Sequence, residues 1–219
     1  IFDDADVIWA DDENNGGNPL RSGSHPLHGD SEHRWYGATD LEWNRLIDAI
    51  HDTPATQQML MRRLRTLMDE FLQPPGTPVN ELKFEQRLDQ LETIMNADVL
   101  LDRAKWGTLF GQNFNFATSV DRIRNLYLAQ RRPYLYEDKG PSGSGLIPGS
   151  QPNGVNSPLP TINFGQIEFD PISGNQDEEY IELVNPLSTA VDISGWHLSG
   201  GIQHTFQPGV VIPAQSSLY

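Results

Sequence analysis

Apolar residues change their spacing part-way along the chain. Between residues 39 and 137 they recur every three or four positions, and from 161 onward they alternate loosely with polar ones. The first period is that of a helix with one buried face, the second that of a half-buried strand. Thr39-Asp40-Leu41-Glu42 has the form of a capping box and opens a helix running to about His51, with Leu46, Ile47 and Ile50 turned inward. Thr53-Pro54 starts a second helix with proline at its tolerated first position. The stripe Leu60, Leu64, Leu67, Met68 and Phe71 predicts its core face, and Pro74-Pro75 its end. A third helix is predicted over 80–96, with Phe84, Leu88, Leu91 and Met95 on one side. The run 98–115 reads as short helix plus loop. A fourth helix begins near Thr118 or Ser119 and buries Val120, Ile123 and Tyr127. It closes before Pro133 with Arg131-Arg132, where cations meet the negative end of the helix dipole.

Residues 138–160 carry Gly140-Pro141-Ser142-Gly143-Ser144-Gly145 and then Pro148, Gly149, Pro152, Gly154, Pro158 and Pro160. That composition predicts a flexible linker without a core. Beyond it, Ile162, Phe164, Ile167 and Phe169 alternate, and Tyr180-Ile181-Glu182-Leu183-Val184 is a strand stopped by Asn185-Pro186. Val191-Asp192-Ile193, Trp196-His197-Leu198, His204-Thr205-Phe206 and Val210-Val211-Ile212 continue the series. Short strands between turn signals predict an all-β sandwich. The fold class read from the pattern is α+β and multidomain: an irregular stretch over 1–38, helices over 39–137, a linker over 138–160, and a β module over 161–219.

Charge narrows the partners. The formal net charge of −15 repels phosphate backbones, which argues against nucleic acid. Cysteine is absent, so disulfides, thiolate nucleophiles and Cys-type zinc sites are excluded. No apolar run is long enough to span a bilayer. Asp3, Asp4 and Asp6 crowd carboxylates beside the β-type run Val7-Ile8-Trp9. Solvation or a divalent cation relieves such crowding, and oxygen ligands suit Mg²⁺, Ca²⁺ or Mn²⁺. Asp4 and Asp6 would share one face of a strand and reach one ion; the plainer reading is an acidic, solvated chain end. Asp11, Glu13, Asn15 and Gly16 hold calcium-loop spacing, but Ser22 stands where a bidentate Glu is needed. His25, His28, Asp30 and His33 have metal-like spacing, interrupted by Pro26 and Gly29. His197, His204, Glu179 and Glu182 read as solvent-facing strand positions. Gly143-Ser144-Gly145 is linker rather than a phosphate loop, and no nucleophile elbow follows a strand.

Two segments resemble known families. Glu179-Tyr180-Ile181-Glu182-Leu183-Val184-Asn185, then Val191-Asp192-Ile193-Ser194-Gly195-Trp196-His197-Leu198-Ser199, with Phe206 and Val211-Ile212-Pro213-Ala214, resemble the lamin-tail domain. The resemblance implies an immunoglobulin-like sandwich acting as a binding or architectural module, with Gly195 in a tight turn, Trp196 plugging the core, and a further strand expected beyond Tyr219. Phe2-Asp3-Asp4-Ala5-Asp6, His25-Pro26-Leu27, Asn44-Arg45-Leu46-Ile47, Met61-Arg62-Arg63-Leu64 and Arg131-Arg132 resemble the C-terminal half of the spore-coat-protein-H (CotH) kinase-like family. This implies a helical kinase C-lobe in which Asp4, with Asp6 second, holds Mg²⁺ or Mn²⁺ with ATP. The nucleotide-clamping lysine and catalytic base would lie upstream of Ile1. The expectation is therefore an inactive fragment of an exported bacterial kinase-like protein, secreted or at the cell surface, acting on a protein substrate or surface partner. The alternative is a non-catalytic surface binding and assembly protein.

Overall fold

The computed structural model describes residues 45–106, 115–155 and 157–219, and for residues 45–48 and Trp106 the backbone alone. They form an α+β protein whose described residues group into two compact units, 68–145 and 45–67 with 146–219. The capping box Thr39-Asp40-Leu41-Glu42 lies outside the described residues, as does the segment 107–114.

The unit 68–145 is helical. It opens with a wide turn, Met68–Leu72, that ends ahead of Pro74-Pro75 with Gln73 at φ +63°. A short turn at Val79–Glu81 leads into helix α3, Lys83–Trp106, the third in chain order after α1 (Arg45–Asp52) and α2 (Pro54–Leu67) of the other unit. Helix α3 runs ten residues beyond the predicted end at 96, through half of the stretch read as ambiguous. Its expected inner face is only partly buried, Leu88 and Leu91 being half-buried. Phe84 and Met95 are largely exposed, whereas Leu82 and Glu85 are buried. Helix α4, Phe116–Arg122, is capped by Asn115, whose Oδ1 accepts the Thr118 amide at 3.2 Å. A wide turn, Ile123–Leu128, joins it to α5, Ala129–Pro133, and a second wide turn extends to Asp138. The run thus passes through Pro133 instead of stopping before it. Wide turns on both sides shift the hydrogen-bond register, as where the Lys139 amide reaches back five residues to the Tyr134 carbonyl at 2.9 Å. Buried Met68, Leu72, Val120, Leu128 and Leu135 supply the core of this unit.

Arg132 is the organising charge of the helical unit. It does not serve the dipole of its own helix. Its Nε donates to the carbonyls of Leu72 and Gln73, both at 3.1 Å, and its Nη2 to Glu85 Oε1 at 2.7 Å. Those carbonyls end the Met68–Leu72 turn and have no further turn to accept from. The guanidinium caps a neighbouring helical end and neutralises a carboxylate buried beside it.

The other unit contains α1, Arg45–Asp52, and α2, Pro54–Leu67, with Pro54 at the first position as predicted. The buried face of α2 is Met61, Arg62 and Arg65, one residue off the predicted stripe; Leu60 is 37% exposed and Met61 2%. One residue is about 100° of helix rotation. The reason lies in what α2 meets, namely backbone carbonyls. Arg62 Nε donates to the Ala190 carbonyl at 2.9 Å and Nη1 to that of Gly149 at 2.8 Å. Arg65 reaches the Pro148 carbonyl at 3.2 Å and Ser150 Oγ at 2.7 Å. The stems of both arginines cover apolar surface while the heads satisfy groups that leucine would strand.

Residues 146–151 therefore behave differently from the flexible linker that composition predicts. Ile147 is fully buried. The Gln151 side chain bonds both main-chain groups of Asp192, accepting from its N–H and donating to its C=O, each at 2.8 Å.

Seven strands follow. β1 (Asn163–Glu168), β2 (Tyr180–Asn185) and β7 (Ser216–Leu218) form an antiparallel sheet in the order β1-β2-β7. β3 (Val191–Asp192) pairs with β6 (Val211–Ile212), and β4 (His197–Leu198) with β5 (His204–Thr205). The bonds Ile193 N–H to Val210 C=O and Gly195 N–H to Phe206 C=O link these two pairs into one interrupted ribbon. Gly195 has φ +74°, a conformation costly to any residue with a Cβ, which makes the predicted tight turn. Leu183 from the sheet packs with Val191, Ile193 and Ile212 from the ribbon, and Trp196, Phe206 and Leu218 flank them. β7 lies in a stretch too polar for the alternation test to find.

Candidate binding site

The sheet and the β4–β5 hairpin leave one side of this core open. Between them lies a pocket of about 640 Å³. Ile181, Leu183, Leu198, Phe206 and Leu218 line it, the same residues that belong to or flank the core. Its mouth carries aromatic and aliphatic side chains that elsewhere would be covered: Phe164 is 62% exposed, Ile167 51% and Ile202 47%, with Phe169 and Tyr219 more so. A concave apolar site of this volume falls in the range that takes a ligand.

The strand chemistry explains the exposed wall. β1 and β2 are in register from Asn163↔Val184 to Phe164↔Leu183, and again from Ile167↔Ile181 to Glu168↔Tyr180, with a bulge between. A bulge re-aims side chains. Here Phe164 and Ile167 both line the pocket instead of alternating across the sheet. Glu182 fixes the bulge: its Oε2 accepts the Gln166 amide at 2.9 Å, and a Cβ on Gly165 would lie 2.2 Å from that oxygen, so a side chain there would displace the carboxylate. Glu182 is thus half-buried and bonded, not the free surface carboxylate that alternation predicts. The Ser217 hydroxyl, then the Gln166 amide and the Tyr219 hydroxyl, hold its carboxyl below the ordinary range. The Tyr219 bond to Glu182 Oε1, 3.2 Å, in turn raises the Tyr219 phenol.

Charge on this face has one sign. Glu168 and Glu179 line the pocket, and Asp170, Asp177 and Glu178 stand on the neighbouring turns. No Lys or Arg occurs in the sequence after Lys139. Among the described side chains of this unit the Lys and Arg cations are Arg62, Arg63 and Arg65 of α2, and they are engaged away from the pocket. This asymmetry is visible in the sequence once the two halves are charged separately; the whole-chain value of −15 conceals it.

Asp192, buried, is tied on every side. Its Oδ2 accepts from Arg63 Nη1 at 3.1 Å; its Oδ1 accepts the Ser194 amide at 2.9 Å and the Ser194 hydroxyl. Burial is the largest single influence and pushes its pKa up. The hydrogen bonds from Ser194, Thr66 and Arg63 together outweigh it and hold the carboxyl below its usual value. Asn185, also fully buried, donates through Nδ2 to the carbonyls of Thr189, Ile212 and Pro213 and accepts the Leu187 amide at 3.0 Å. Both are structural latches.

The other residues singled out in the sequence divide plainly. His197 and His204 are exposed as expected; His197 bonds Thr205 Oγ1 at 3.0 Å and Gln203 Oε1 at 2.8 Å, and His204 stands edge-on to Phe206 in the pocket wall. Gly143-Ser144-Gly145 closes the helical run, with the Ser144 amide on the Asp138 carbonyl at 2.8 Å. Asp4 and Asp6 lie outside the described residues, as do Asp11, Glu13, Asn15, Gly16, Ser22, His25, His28, Asp30 and His33. Among the described residues no group of three His, Asp or Glu side chains is placed to hold a metal, and no helix is long and apolar enough to cross a membrane.

Comparison with family models, with curated proteins and with solved structures returns no match to this chain.

Proposed function

We propose that this chain is a non-catalytic binding and assembly protein, secreted or at a bacterial cell surface, with its C-terminal β unit as the recognition module. The module is an immunoglobulin-like sandwich of lamin-tail type. The observation that carries this reading is the open pocket over the β core, its mouth built from exposed Phe164, Ile167 and Ile202. Exposed aromatic and aliphatic residues gathered at one concavity mark an interaction site. Nile red, a neutral apolar probe, tests it: its emission rises with the native chain and returns to baseline with Phe164→Ser plus Ile202→Ser. Both side chains are exposed, so the fold survives the change. Emission unaffected by the double substitution contradicts the assignment.

A second reading rests on the sequence Asp4-Ala5-Asp6. In it the helical unit is the C-lobe of a CotH-like kinase, and Asp4 with Asp6 holds Mg²⁺ or Mn²⁺ with ATP in a longer protein. ATP-dependent phosphorylation by such a protein, unchanged by Asp4→Ala, excludes that role for Asp4.

A further inference from the structure

We infer that the pocket of the β unit receives an extended, cationic stretch of another protein, with Lys or Arg alternating with aliphatic residues. The inference rests on the binding-module reading and names the class of partner. Four observations converge on it. The pocket floor is apolar and continuous with the core through Ile181, Leu183 and Phe206, so it takes aliphatic or aromatic side chains. The rim is acidic at Glu168 and Glu179, with Asp170, Asp177 and Glu178 adjoining. No cation of the chain follows Lys139, so charge complementarity selects a positive partner. Finally, β1 is an edge strand: among the described residues no strand pairs with its outer side. An extended segment laid along β1 meets unpaired backbone groups while its alternate side chains enter the pocket. A strand presents side chains with period two, so one face carries the aliphatic residues and the other the cations. The carboxylates also argue against a second copy as the occupant: two such rims repel.

Fluorescein-labelled peptides of alternating Val and Lys, Val and Gln, and Val and Glu, titrated into the full chain by fluorescence anisotropy, test the inference. The Val/Lys peptide binds about tenfold tighter than Val/Gln, Val/Glu does not bind, and salt weakens the Val/Lys complex. Glu168→Gln with Glu179→Gln brings Val/Lys down to the Val/Gln affinity and leaves Val/Gln unchanged. Phe164→Ser with Ile202→Ser abolishes both. Equal binding of Val/Lys and Val/Gln overturns the cationic selection while leaving the binding-module reading standing. Nile red uptake without any peptide binding overturns the polypeptide partner. Loss of both dye and peptide binding overturns the underlying reading. Concentration-dependent association in sedimentation, abolished by Phe164→Ser, makes a second copy the occupant and overturns the inference as well.

Discussion

Asn185 shows how much one buried amide can organise. Its two N–H groups serve three carbonyls that belong to the 185–190 turn and the end of β6. Asn185→Asp changes little in shape but removes those donors and places acceptors against acceptors. Urea unfolding should show a loss of about 3 kcal/mol, the scale of stranding buried polar groups. Asp192 carries the opposite dependence on protonation. Its folded pKa lies below the unfolded value of about 3.9, so its contribution is present above that pH and disappears as pH falls through the folded value. Asp192→Asn should therefore cost about 2 kcal/mol at neutral pH, and the gap to the native chain should close in melts below about pH 4. In the helical unit, Arg132→Met leaves the buried Glu85 without its ion-pair partner, for about 3–5 kcal/mol in denaturant titration; adding Glu85→Leu should recover most of it. Residue identities at these positions were plain in the sequence, but their roles were not. Arg132 read as a partner of its own helix end because the carbonyls it caps lie some sixty positions away.

Elements were legible where their pattern depends on their own residues. Proline set the start of α2, Pro74-Pro75 lay beyond its end, and β-branched runs located β2, β3 and β6. The buried face was legible for Val120, Ile123 and Tyr127, but not for α2, because it depends on what the helix meets. Hydrophobic rhythm put Leu60 and Leu64 inside α2, but the surface opposite it offers the carbonyls of Pro148, Gly149 and Ala190, which only a donor can satisfy. The test is a paired substitution. Met61→Ala should destabilise by about 2–4 kcal/mol, as for a buried methionine, while Leu60→Ala stays within about 0.5 kcal/mol of native in Trp-monitored unfolding. Ile147 and Gln151 make the same point for a stretch of linker composition. Local chemistry gave them nothing to fold around, and α2 and β3 supply it from elsewhere in the chain. The β1 bulge was equally hidden, since Glu182 and Gly165 come together only through strand pairing.

At the scale of the whole molecule, two units each carry their own core, and the chain's cations are confined to its first 139 residues. That division leaves the β unit acidic around an apolar opening, and the binding proposal follows from it. The α+β class was legible from the change of period, because strands and helices write different rhythms. The pocket was not, because alternation assigns Phe164 and Ile167 to faces without knowing that a bulge turns both toward one opening. Asp4 and Asp6 remain a proposal of sequence resemblance, separate from the pocket. The most direct measurement is amide chemical-shift mapping of the full chain titrated with the alternating Val/Lys peptide. The account predicts that the largest shifts fall on residues 164–169, 179–183 and 202–206, saturating together. Shifts confined to the helical unit, or none at peptide concentrations that saturate the anisotropy signal, contradict it.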